Sequence, residues 1–247
     1  MAARALSVFA GREAARRLAA EGWQPDHFSL LLGASGGPKW FILSRLDQAL
    51  FGNFLGEGQC PLTTLGSSIG SWRHACLAMT DPTAAVQRLE QGYLYQRYSR
   101  KPGPEEVSQV SRSILESVLG DNGARHLATH PSLRTHIVTA RGRGPAASST
   151  HPVLATGMGM AALGNAVSRR LLKYHFQRVV FHSGDCPGAP MTLGDFHTCY
   201  STLQPDSVIP ALHASGAIPF VLTGERDIAG APAGQYWDGG IIDYHFD

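Results

Sequence analysis

Apolar residues recur along this chain in two rhythms, a helical one and a shorter continuous one. Leu6, Phe9, Ala14 and Leu18 return at helical spacing, with Arg12, Arg16 and Arg17 on other faces and Gly22 as a stop, which predicts an amphipathic packing helix over residues 4–21. "HFSLLLGAS" is then an apolar run ending in small residues, followed by "GGPKWFILSRLDQALFG", in which Trp40, Leu43, Leu46 and Leu50 repeat helically. The same grammar returns in "CPLTTLGSS" and "IGSWRHACLAM". Two successive strand, glycine turn and helix units predict a parallel sheet with crossover helices.

Residues 81–132 read as mostly helical. Asp81 stands as a cap with Pro82 at the first position, and "GPEEVSQVSRSILESVLG" closes on Gly120, so the segment is expected to be a helical insertion or cap. "RTHIVTA" returns to strand, "PVLATGMGMAALGNAVSRRLLKYHF" reads as one long apolar helix, and "RVVFHS" as strand again. "PDSVIPALHASGAI" predicts a short helix, and "QYWDGGIID" a strand interrupted by a glycine pair. The expectation is one α/β domain over 1–247, its mostly parallel sheet flanked by helices in a three-layer sandwich, without repeats or a long linker.

Composition narrows the partners. A formal net charge of +2 without a Lys/Arg stripe disfavours nucleic acid. Cys60, Cys76, Cys186 and Cys199 lie far apart and match neither a zinc knuckle nor a dense disulfide framework, so the expected compartment is the cytoplasm. No stretch has the roughly 18 unbroken apolar residues of a membrane span, and the N-terminus lacks a secretory core. No cofactor or metal is expected: His182, His197, Asp185, Cys186 and Asp195 follow no zinc spacing.

The chemistry concentrates in three places. Gly66, Ser67, Ser68, Ile69 and Gly70 form a Gly-x-Ser-x-Gly pentapeptide between strand and helix, a turn that projects a serine hydroxyl when small residues flank it. "GASGGPKW" is a glycine-rich helix start whose N–H groups suit an oxyanion. It is not a phosphate loop, because Pro38 removes an N–H that should face phosphate and Trp40 replaces the magnesium-binding hydroxyl. Finally, Asp238 ends a strand beside Gly239 and Gly240. Each motif alone also suits a plain turn.

Taken in this order, over roughly residues 28–243, they resemble the patatin-like phospholipases, an α/β family with a Ser-Asp dyad and no catalytic histidine. The resemblance implies that Ser68 is the nucleophile in an elbow set by Gly66 and Gly70. It implies that Asp238 is the base, followed by Gly239 and Gly240, and that Gly36, Gly37 and Lys39 match the Gly-Gly-x-Arg/Lys oxyanion loop. Val208 to Phe220 is similar to the family segment before the Asp-Gly-Gly strand. The departures are Ala34 and Ser35 in place of Asp and Gly, Trp40 in place of glycine, no Asn or Pro after Asp238, and a chain that stops at Asp247, which suggests a shortened or minimal domain.

The implied activity is hydrolysis of lipid or phospholipid esters, a membrane surface being one place to meet them. Asp238 needs raised basicity, for which burial beside Trp237 would serve, and Lys39 is expected to orient its loop by hydrogen bonding. Two other readings stay open. One is a Ser-His-Asp triad drawn from Ser68, Asp206 or Asp185, and His213 or His245. The other is a silent domain that binds a lipid or scaffolds a partner. Tyr93, Tyr95 and Tyr98 stand either in a lid that meets an interface or in the core. A homodimer is the base-rate expectation.

Overall fold

The computed structural model describes residues 7–184 and 190–246. Seven strands form one sheet: β1 (Leu30–Gly33), β2 (Leu62–Ser67), β3 (Leu133–Gly142), β4 (Phe176–His182), β5 (Thr198–Thr202), β6 (Glu225–Arg226) and β7 (Gln235–Asp238). The first three are parallel neighbours, as the repeated strand, turn and helix units predict. Beyond them the expectation of a mostly parallel sheet fails. β4 runs antiparallel to β3, β5 parallel to β4, and β7 antiparallel to both β3 and β6, so the sheet is mixed.

The reversal at β4 has a local cause. The apolar helix α6 (His151–Val167) stops at Ser168, an extended residue whose hydroxyl caps a 3-10 turn, Arg169–Tyr174. The chain therefore returns to the end of the sheet it left, and Phe176 pairs with Gly142. One long helix into "RVVFHS" would have crossed to the other end.

Register explains where the site forms. β2 pairs with β3 as far as Ser67 opposite Val138, and β7 pairs with β3 from Tyr236 opposite Arg141 to Asp238 opposite Thr139. β4 holds the other edge of β3 across these positions. A strand has only two edges, so β2 and β7 share one, approach head to head, and end at adjacent residues of β3.

Helices cover both faces. Ile137, Val179 and Phe181 point into one cluster with α3 (Ile69–Leu77), α4 (Pro82–Leu94), α5 (Pro104–Thr129) and α7 (Val208–Ser215), while Ala140 and Trp237 pack with Leu154 and Ala161 of α6. The 81–132 region is helical and shares the core of the sheet. Val86, Leu89, Leu115, Val118 and Leu127 are buried in the same cluster as the strands, and Arg88 of α4 donates to the carbonyls of Ser117 and Val118 in α5. Asp81 caps α4 through the Ala84 N–H at 2.9 Å, with Pro82 first, as expected. Gly120 does take a left-handed φ of 58°, but helix resumes beyond it to Thr129.

The N-terminal helix differs too. α1 begins only at Arg12, runs to Glu21 and buries no residue, with Phe9 almost fully exposed; Leu6 lies outside the described residues. Between β1 and β2 the expected helix is a chain of short turns, 3-10 over Gly37–Leu43, α2 (Ser44–Ala49), and a wide turn at Leu50–Phe54. No helix among the described residues is long and apolar enough to cross a membrane.

Candidate active site

β2 is buried along its last four residues and runs straight into α3, with Ser68 alone at the corner. Ser68 has φ 55° and ψ −130°, a conformation that side-chain-bearing residues rarely adopt. The sharp corner turns its hydroxyl off the sheet and leaves it at the N-terminal end of α3, where the helix dipole favours negative charge. The flanking glycines are sterically required. A Cβ on Gly66 would come within 2.6 Å of the Ser71 backbone, and one on Gly70 within 2.0 Å of the Gly33 carbonyl oxygen. The elbow is therefore pressed against the end of β1.

Asp238 meets it from the opposite direction. Ser68 Oγ donates to Asp238 Oδ2 at 2.8 Å, and the Gly240 N–H donates to Asp238 Oδ1 at 2.6 Å. Gly239 can be nothing larger, since its Cβ would lie 2.3 Å from the Val138 carbonyl oxygen and 2.8 Å from Ser67 Oγ. A Cβ on Gly240 would reach 2.5 Å from Ser35 Oγ, which brings the glycine-rich loop to the same point. Three segments distant in sequence thus converge with no room for side chains between them. Asp238 is 5% exposed, and burial raises its carboxyl to about pH 6 against the lowering effect of the Ser68 and Gly240 hydrogen bonds. Trp237, 1% exposed, packs on the α6 side of the sheet and donates to the Ala146 carbonyl, so it does not shield the carboxyl as expected.

The loop after β1 supplies candidate donors. The Ser35 N–H is taken by the Tyr244 carbonyl at 3.0 Å, whereas the N–H groups of Gly36 and Gly37 meet no acceptor among the described residues. Gly37 has φ 53° with open space around its Cβ position, so glycine serves the backbone turn there rather than clearance. A cavity of about 320 Å³ opens on this loop, lined by Gly36 and Lys39 and closed by Ile69, Arg73 and His245. Lys39 does not orient the loop as expected, because its exposed ammonium bonds to none of the described residues. The buried ring of Trp40 does so instead, packed on Phe41 and Tyr93.

No family model, curated protein or solved structure matches the chain. What the arrangement can do is therefore argued from its own geometry.

The residues that sequence reasoning passed over sit at the end of α7 and in the first turn of α3. Ser215 Oγ accepts the Ser68 N–H at 2.9 Å and donates to the Val138 carbonyl at 2.7 Å. Ser71 Oγ, 3.0 Å from it, donates to the Ser68 carbonyl at 2.7 Å. Two residues on, the Ala217 carbonyl takes the Asp238 N–H at 2.9 Å. One helix end thereby ties down both members of the pair. The sequence carried no signal for this role, because Ser215 acts on Ser68, 147 positions away.

The triad candidates are elsewhere. His213 is fully buried in α7 with Nδ1 2.5 Å from Glu225 Oε1, His245 is exposed with its ring on Tyr244, and Asp206 is exposed. Asp185 and Cys186 lie outside the described residues. His182 stacks on His136, His197 meets Gln177 and Asp195 pairs with Arg169 and Arg178, so these three do not face one centre. Of the tyrosines, Tyr93 lies in the aromatic cluster with Trp72, its phenol pushed up to about 12 by burial and by the nearby Asp238 charge. Tyr95 and Tyr98 are exposed.

Proposed function

We propose that the chain is a serine acyl hydrolase that cleaves carboxylic esters of lipids or phospholipids through Ser68 and Asp238 in the cytoplasm. The observation that carries the reading is the 2.8 Å hydrogen bond from a backbone-strained serine to a buried carboxylate whose pKa lies near 6. Such a carboxylate is more basic than an ordinary aspartate yet still ionised at neutral pH. The similarity to patatin-like phospholipases in motif order supports lipid esters as the substrate class.

As Ser68 Oγ bonds to the acyl carbon, its proton passes to Asp238, and the carbonyl π pair moves onto oxygen. The free N–H groups of Gly36 and Gly37, with the N-terminus of α3, stabilise that oxyanion. Collapse breaks the ester C–O bond, and the Asp238 proton leaves with the alcohol. Water then attacks the acyl-serine, giving its proton to Asp238, and the acid departs as Ser68 recovers its hydrogen. Ser215 and Ser71 keep the elbow in its strained form throughout.

The test is labelling with a fluorophosphonate, which reacts readily only with an activated serine, followed by peptide mapping. Label on Ser68 that is lost in both Ser68→Ala and Asp238→Asn supports the dyad. Absence of label on folded protein overturns it and leaves the ligand-binding reading.

A further inference from the structure

We infer that the outer side of α6, with the loop at residues 218–221, is the face by which this protein lies on an anionic lipid bilayer. The inference rests on the lipid-ester reading for its choice of occupant. α6 turns Leu154, Gly157 and Ala161 to the core, yet Val153, Met160, Leu163 and Val167 form a second stripe at helical spacing that is open to solvent. Leu163 is 73% exposed and Val167 81%. From Gly144 to Ser168 the chain has no Lys, Arg, Asp or Glu. An uncharged helix with a bare apolar stripe is unusual on a water-facing surface.

The stripe leads to the site. The His151 ring at the start of α6 meets Phe220 edge-on at 6.1 Å between centroids. Ile218, Phe220 and Val221 are themselves exposed, and they follow directly on Ala217, whose carbonyl holds the Asp238 N–H. Phe220 has φ 69°, so the backbone carries strain to present this apolar loop.

The far end of α6 decides the occupant. Arg170, Lys173 and Tyr174 follow the helix at the surface, with Arg143 joined to the Lys173 carbonyl. Among the described residues, Arg143, Arg170 and Lys173 have no carboxylate partner. A second copy of this chain would bring another uncharged stripe and another basic end, leaving those cations without counter-charge. An anionic lipid face provides an acyl layer for the stripe and phosphates for the cations, and tyrosine and lysine suit the boundary between them.

Sedimentation with vesicles tests this on Ser68→Ala protein, so that binding is read apart from turnover. Vesicles of phosphatidylcholine with roughly 30% phosphatidylglycerol should bind it at least about tenfold more tightly than phosphatidylcholine alone, and less so in high salt. Leu163→Glu with Val167→Glu should abolish binding to both. Arg170→Glu with Lys173→Glu should remove only the preference for anionic lipid. Because all four side chains are exposed, circular dichroism should be unchanged. Equal binding by wild type and both variants, or none by wild type, overturns the inference. So does sedimentation velocity showing a dimer that Leu163→Glu splits, which would make the stripe a self-interface. Failure of the hydrolase reading shows separately, as absent fluorophosphonate labelling.

Discussion

Ser68 Oγ and Asp238 Oδ2 stand 2.8 Å apart although 170 residues separate them in the chain. The bond is possible because β2 and β7 share one edge of β3 and end at its adjacent residues Val138 and Thr139. At that junction a strained serine meets a buried carboxylate, and Gly240 beside them comes up against Ser35 of the glycine-rich loop.

The strain at Ser68 separates two inactivating substitutions. Ser68→Ala and Ser68→Gly both remove the hydroxyl, but only glycine is at ease at φ 55°. Both should lose turnover on a short-chain ester by about a thousandfold or more. In thermal or urea unfolding, the glycine variant should be the more stable of the two by about 1 kcal/mol. Equal stabilities would mean that the elbow is unstrained.

The raised Asp238 carboxyl has two pH signatures. Proton acceptance needs the ionised form, so kcat/KM should fall as pH drops through about 6. Stability runs the other way. Because the folded-state pKa of about 6 exceeds the ordinary aspartate value of 3.8, the native state holds a proton that the unfolded chain has released between those values. This group's contribution to stability is therefore present below about pH 4 and is lost as pH rises through about 6. Asp238→Asn should remove that penalty and stabilise the protein at pH 7 by about 3 kcal/mol while abolishing turnover. Denaturant melts of both proteins across pH 4 to 8 check the sign.

A dyad and a triad respond differently to loss of histidine. His245→Ala and His213→Gln should each leave kcat within about threefold of wild type, since neither ring is bonded to Ser68 or Asp238. A drop of about a thousandfold in kcat for either variant, with its fold intact, would restore the triad.

Much of the site was legible in advance because it depends on local rules. A glycine beside a strand-to-helix serine, and a glycine pair after an aspartate, announce tight approach wherever they occur. Gly70 against Gly33 and Gly239 against Val138 are those approaches realised. The first three strands and the α4 cap were legible for the same reason. What escaped depends on pairing between distant segments. The direction of β4 follows from the break at Ser168, which apolar periodicity continuing into Leu171 and Leu172 conceals. β5 is half-buried and mixed in character, and its pattern did not announce a strand. Ser215 acts through Ser68, far away in sequence, so nothing in its neighbours reveals the role.

The C-terminal segment should matter through the loop it supports. Arg178 is 1% exposed and makes paired bonds of 2.6 and 2.7 Å to Asp243, the residue before the one whose carbonyl holds the Ser35 N–H. Asp243→Asn leaves the buried guanidinium with Asp195 as its remaining counter-charge and should destabilise by about 2 kcal/mol. At a temperature where the variant is still folded, kcat should also fall, because the donor loop loses its tether. Unchanged kcat would show that Ser35 keeps its place unaided.

The meeting of β2 and β7 on one edge of β3 also sets a timetable. During synthesis the serine emerges 170 positions before the aspartate, and the edge that β7 will occupy stays open until Gln235–Asp238 has been made. A product that stops short of β7 cannot hold Asp238 beside the Ser68 hydroxyl. The pair is therefore the last part of this site to form, completed only when β7 docks on β3.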